Sequence, residues 1–322
     1  MLLPFGRRVM LEVKELKKYF ALSDGRLIRA VDEVSLQVQQ NEILGIVGES
    51  GCGKSTLGRL ILRLIEPDAG QVYFKGEEIT GIKRDALRLK RKAMQMVFQN
   101  PFSSFNPKIS IGAALTEVCR YYGMTIPESK EKIDRLLNDI GLSGDILNSW
   151  SRELSGGQLQ RLAIARAIIG EPSLLIADEP LSSLDVSVQA QLLNLLDELR
   201  ADRSMAMVFI SHDMTVVEYF CDKVVIMYMG RVMEFVSSAE LSHNAIHPYT
   251  LSLKASAPKF DVFKNFVEGK KAPIHGEMTN RRKQIKGCPF APRCMRAMPQ
   301  CVESLPELIE ASPGHLVRCH YF

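Results

Sequence analysis

The chain has 322 residues, 46% of them hydrophobic and 24% charged, with a net charge of +4. That is enough for one large core with an appendage, or for two modest domains, and the charge is too small to call for nucleic acid. No stretch approaches the roughly 18 apolar residues of a membrane span, and Arg7 and Arg8 follow the first apolar residues, the reverse of a secretory signal. A cytosolic chain is expected, with Met10 a candidate start of the folded part.

Leu11–Gln40 alternates short apolar runs (Leu11, Val13; Val34, Leu36, Val38) with a loop at Ser23-Asp24-Gly25, which predicts a small antiparallel strand set. Ile43–Val47 reads as a buried strand and Ser55–Leu64 as a helix. Between them, Gly48-x4-Gly53-Lys54-Ser55 fits the phosphate-loop pattern. The small residues of Gly48, Ser50, Gly51, Cys52 and Gly53 let backbone N–H groups curl around an anion, and the helix behind adds its dipole. Lys54 is expected to reach the β- and γ-phosphates and the Ser55 hydroxyl to ligate Mg²⁺, while Thr56 extends the cradle.

Pro67-Asp68-Ala69-Gly70 is a turn, and Val72-Tyr73-Phe74 with Gly76 reads as a hairpin. The basic run within Ala86–Lys92 reads as a solvated face. From Ile109 to about Trp150 the apolar period is helical, with a stop at Gly141. Strands at Leu174–Ala177, Ala206–Ile210 and Val224–Met227, with a helix at Val186–Arg200, predict a parallel sheet covered by helices.

The strand at Leu174 ends in Asp178-Glu179. Alone, this is an acidic pair at a solvent edge. After a phosphate loop it predicts Asp178 holding Mg²⁺ through water and Glu179 polarising the attacking water. No guanine-reading Asn/Thr-Lys-x-Asp is present; Glu131-Lys132-Ile133-Asp134 lacks the first residue, so ATP is preferred to GTP.

Leu154-Ser155-Gly156-Gly157-Gln158, before a helix and about twenty residues ahead of the acidic strand, resembles the signature of ATP-binding-cassette (ABC) ATPases. The resemblance implies a P-loop ABC core: an α/β fold with a mostly parallel sheet, an antiparallel β subdomain and a helical insertion at about 105–160. It also implies that Ser155 and its glycines meet the γ-phosphate of a partner subunit's ATP. On the same resemblance, Gln99 is the Gln-loop residue that touches Mg²⁺ and senses the membrane partner. Ser183-Leu184-Asp185 is the loop crossing the dimer interface, His212 the switch histidine, and Phe20 the ring stacked on adenine, with Tyr19 one register away.

Past Ala239 the chain becomes proline-punctuated and loop-rich, which places a domain boundary near 240: 1–240 for the nucleotide-binding domain, 241–322 for a small extension. His247-Pro248-Tyr249-Thr250 and the run Gly287–Cys294 are similar to the C-terminal extension of oligopeptide/dipeptide importer ATPases. Gly51-Cys52-Gly53 and Asp185–Gln191 look like the F-type member of their ATPase pair. Implied partners are a paralogous ATPase, two permeases and an extracytoplasmic solute-binding protein, with the chain peripheral at the cytoplasmic membrane face. Nickel and other solute importers share this extension, and a soluble non-transport ABC ATPase is a further alternative.

Cys288, Cys294, Cys301 and Cys319 crowd the last 35 residues, with five, six and seventeen residues between them and no Cys-x2-Cys knuckle. Thiolates suit zinc and iron–sulfur clusters alike. The wide loops fit, and the family resemblance implies, a [4Fe–4S] cluster of structural role, with zinc, helped by His315 or His320, or unmetallated thiols as the alternatives.

Overall fold

A computed structural model describes residues 8–23, 25–182, 184–256 and 286–322. Met1–Arg7, Asp24, Ser183, Pro258 and Pro273 lie outside the described residues.

In chain order the elements are β1 (Val9–Ala21), β2 (Leu27–Gln39), β3 (Ile43–Val47), α1 (Lys54–Ile61), β4 (Ala69–Phe74), β5 (Glu77–Glu78), α2 (Arg84–Arg91) and β6 (Met94–Val97). Then come α3 (Ile111–Tyr121), α4 (Ile126–Asp139), α5 (Gly156–Ile168), β7 (Leu174–Asp178), α6 (Val186–Arg203), β8 (Ala206–Ser211) and α7 (Met214–Phe220). The last are β9 (Lys223–Tyr228), β10 (Arg231–Ser237), α8 (Ser238–Asn244), α9 (Pro248–Ser256), α10 (Pro299–Glu303), β11 (Ile309–Ser312) and β12 (His315–Val317). They fall into two compact units. One holds the residues up to Leu11, Val38–Glu42 and Phe74–Val208; the other holds Glu12–Gln37, Ile43–Tyr73 and the chain from Phe209 on.

In the first unit β6 and β7 pair in parallel, Met94 opposite Leu174 through Val97 opposite Ala177. All five residues of β7 are buried, as a central strand requires. Within 105–160 stand α3 and α4, and α5 begins at Gly156. Ser110 caps α3 by accepting from Ala113 N (3.3 Å), and Thr125 and Glu128 form a capping box on α4. The basic segment is α2, a helix with Leu87 alone buried and its cations outward.

In the second unit the strand order is β11-β12-β10-β9-β3. β3 lies parallel to β9, Leu44 opposite Lys223 through Val47 opposite Ile226, and every residue of β3 is buried. β9 turns into β10 as an antiparallel hairpin. β12 then adds to the far side of β10, with Glu234 opposite Val317, so the loop-rich tail contributes two strands the sequence did not announce. The N-terminal segment also exceeds the short runs expected from it: β1 and β2 are 13 residues each and stand with β4 in the order β2-β1-β4.

Candidate functional site

β3 delivers the chain into the phosphate loop, and two of its glycines answer to backbone nearby. A Cβ on Gly48 would lie 2.2 Å from the Met227 carbonyl oxygen, and one on Gly53 would lie 2.1 Å from that of Ala30. Gly53 also has φ 113°, a conformation open to glycine and strained for other residues. As the N-cap of α1 it brings no side chain to cap the helix, so the first turn, with Ser55 and Thr56 half-buried, presents its N–H groups as an anion site. Lys54 is buried, its Nζ donating to the carbonyls of Gly48 (2.7 Å) and Glu49 (3.2 Å). Cys52 is fully buried and its carbonyl accepts from Gly230 N (2.8 Å).

On β1 the two aromatic candidates separate. The Tyr19 hydroxyl donates to Asp32 (2.6 Å) and Arg29 lies over its ring. Burial and that bond push its pKa up to about 12. Phe20, on the opposite strand face, is 41% exposed.

In the other unit the β6–β7 register explains a contact between distant residues. Gln99 follows Val97 by two positions and Glu179 follows Ala177 by two, so their side chains emerge from paired strand ends. Gln99 Nε2 donates to Glu179 Oε2 at 2.9 Å. Asp178 is buried, and Glu179 has φ 47°, a left-handed conformation in a non-glycine residue. Such strain, held at a strand end, aims a side chain.

Ser155 caps α5: its Oγ accepts from Gln158 N (3.3 Å) and Gln158 Oε1 accepts from Ser155 N (3.0 Å). Leu154 is half-buried just before it. A Cβ on Gly157 would rest in ordinary contact, 3.5 Å from Val188 Cγ1, whereas one on Gly156 would meet nothing within 4 Å. Asp185 caps α6, accepting from Val188 N (3.0 Å). His212 is exposed at the end of β8, between buried Ser211 and Asp213, whose carboxylate caps α7.

Cys288, Cys294, Cys301 and Cys319 line one cavity of the second unit together with Phe290 and His320. Burial pushes the Cys288 thiol up to about 11 and raises Cys294 and Cys319. Among the described residues no group of three or more His, Cys, Asp or Glu is arranged to hold a metal ion. Neither the [4Fe–4S] expectation nor the zinc alternative therefore finds a supporting donor set among the described residues. His315, one of the two candidate histidines for zinc, is committed elsewhere: its Nε2 bonds Glu234 at 2.7 Å, both side chains buried.

Sequence reasoning missed a cluster beside the phosphate loop. Arg293 reaches Glu49 through both guanidinium ends, Nη1–Oε2 2.9 Å and Nη2–Oε1 2.8 Å, and Nη1 also donates to the Tyr228 hydroxyl (3.2 Å). Glu49 N donates to the Tyr249 hydroxyl (2.9 Å). Tyr228, Tyr249 and Phe290 pack ring to ring with centroids 4.7–5.5 Å apart, beneath Arg293. Glu49 occupies one of the four unspecified places of the phosphate-loop pattern, and Arg293 directly precedes Cys294 without belonging to the cysteine pattern.

Residues 31–182 match the ABC transporter family, and residues 233–301 match the oligopeptide/dipeptide transporter C-terminal region. The chain is 42% identical to the oligopeptide transport ATP-binding protein AppF of Bacillus subtilis, covering 98% of both. It is 40% identical to OppF of Escherichia coli over 90% of this chain and 89% of that one. Among solved structures, cbiO1 of Clostridium perfringens, part of the ABC transporter complex cbiONQ, matches with TM-score 0.65 at 26% identity, over 77% of this chain and 94% of that one. The cassette MJ0796, in a dimeric post-hydrolysis state with ADP and Pi, matches with TM-score 0.65 at 27% identity, over 71% of this chain and 99% of that one. No helix among the described residues is long and apolar enough to cross a membrane. Identity of 42% to AppF along nearly the whole length, with both family regions matched, makes this chain a member of the ABC transporter family, among its oligopeptide/dipeptide transporter ATP-binding proteins.

Proposed function

We propose that this chain is the ATP-hydrolysing subunit that powers peptide uptake through an ABC importer. The observation that carries the hydrolytic part is Glu179, strained at the end of β7 and held by Gln99. A carboxylate fixed this way accepts a proton from the attacking water, while Gln99 holds it in place and links it to the segment expected to face a permease. The phosphate loop and Lys54 bind the triphosphate, Phe20 stacks on adenine and His212 contacts the γ-phosphate. Ser55, Gln99 and Asp178 offer the oxygen donors that Mg²⁺ takes, and the ion supplies charge neutralisation on the phosphates.

The signature turn is read as acting on a partner's ATP. Among the described residues nothing lies within 4 Å of where a side chain on Gly156 would begin, so none of them calls for glycine; a close-approaching phosphate from another subunit would. The dimeric state of the MJ0796 cassette supports this. Asp185 then contributes at that interface in addition to capping α6. The partners are a paralogous ATPase and two permeases served by a solute-binding protein, with the chain peripheral at the cytoplasmic membrane face. The nucleotide-binding domain is taken as 1–240 and the extension as 241–322.

Cys288, Cys294, Cys301 and Cys319 stand around one cavity, and their thiolates are donors that an iron–sulfur cluster takes. A [4Fe–4S] cluster held by Cys288, Cys294, Cys301 and Cys319 would supply a structural crosslink for a segment with little core of its own. Anaerobic purification with iron and sulfide analysis tests it; zinc without sulfide overturns it.

The test of the main reading is Glu179→Gln in the assembled transporter. It is expected to bind ATP and to lose turnover by roughly 100-fold or more. Normal hydrolysis in that variant, or isolation of the chain from membranes with no permease attached, sinks the assignment.

A further inference from the structure

The extension reaches the phosphate loop through two side chains that meet at Glu49, Arg293 at its carboxylate and Tyr249 at its backbone N–H. Glu49 puts a carboxylate in a loop whose work is to hold a triphosphate, and a bare carboxylate there repels the ligand. Arg293 meets it with a two-bonded fork, and its side chain is only 6% exposed. Three further contacts fix the fork. The Tyr228 hydroxyl accepts from it, Tyr228 and Phe290 lie beneath it, and the Tyr249 hydroxyl holds the Glu49 N–H. Tyr228 ends β9, the strand paired with β3, and β3 runs directly into the loop. Arg293 stands one residue before Cys294 on the wall of the cysteine cavity, so the same turn of chain carries both.

We propose that Arg293 is a positioning residue for the phosphate loop, neutralising and anchoring Glu49 so that the loop accepts MgATP. The C-terminal extension thereby sets nucleotide affinity. Arg293 acts through Glu49, with no contact to reacting atoms in this role, so its effect falls equally on bound ATP and on the transition state. It moves KM and leaves kcat in place.

The experiment measures ATPase kinetics, and affinity for a non-hydrolysable ATP analogue, on the full chain within its purified transporter. Arg293→Ala is expected to raise KM for ATP about tenfold, with kcat within about twofold of the parent. Adding Glu49→Gln removes the stranded charge, and the double variant is expected to return to within about threefold of the parent KM. A merely structural arginine gives no such rescue. An unchanged KM in Arg293→Ala, or a double variant as impaired as the single, overturns the proposal. Should Arg293→Ala not fold, Arg293→Lys carries the same test, since it keeps the charge and loses the fork. A KM raised about threefold in Arg293→Lys, with kcat unchanged, supports the role, and an unchanged KM overturns it.

Discussion

The phosphate loop and the signature turn are both glycine-rich helix starts, yet their glycines answer to different neighbours. At Gly48 and Gly53 an added methyl would collide with the chain's own backbone, at Met227 and Ala30. At Gly156 it would meet nothing. The loop is also clasped through Glu49 by Arg293 and Tyr249, whereas the Ser155 turn carries a capping box of its own. One anion site is shaped by contacts within the chain. The other has open space at Gly156, the difference expected of two half-sites under the proposal that each ATP is shared between subunits.

The strongest way to break this comparison is Gly53→Ala. The clash with Ala30 and the positive φ should cost at least about 3 kcal/mol of stability and abolish ATP binding, read by thermal melting and by nucleotide titration. Gly156→Ala should do the opposite to stability. Replacing glycine within a helix gains up to roughly 1 kcal/mol, while ATPase activity of the assembled transporter should fall about tenfold. A variant that is both more stable and fully active would remove the reason to assign this turn to a partner's phosphate.

Acid should loosen the clasp from the other side. Burial depresses the His247 pKa to about 4, and its Nδ1 accepts from Tyr249 N (3.0 Å). The unfolded chain, near 6.5, binds the proton more readily than the folded one. Stability is therefore full above about pH 6.5, falls as pH drops, and levels off near 4, with about 3 kcal/mol involved. Melting curves across pH 4–7 should show this slope, and His247→Gln should flatten it. The smallest effect belongs to Tyr249→Phe, which leaves Glu49 N without its acceptor and should cost about 1 kcal/mol. Its KM should rise by less than that of Arg293→Ala.

The strands and helices nearest the chemistry were legible because their signals are local. Ile43–Val47 is continuously apolar and is β3; the apolar run ahead of Asp178 is β7. What escaped depends on pairing. β11 and β12 have four and three residues, too few to show a period, and exist through their register with each other and with β10. The Gln99–Glu179 bond follows from the parallel register of β6 and β7, which neither segment states alone. Arg293 and Glu49 stand 244 positions apart, and neither belongs to the fixed part of a motif.

That separation also has a direction in time. A ribosome emits Glu49 first and needs roughly 10–50 s more to reach Arg293 at ordinary elongation rates. Throughout that interval the loop's glycines and lysine exist while the counter-charge to its carboxylate does not. A chain cut short within the tail would stay in that state permanently. On the role proposed for Arg293, completion of the polypeptide would thus sharpen nucleotide affinity about tenfold.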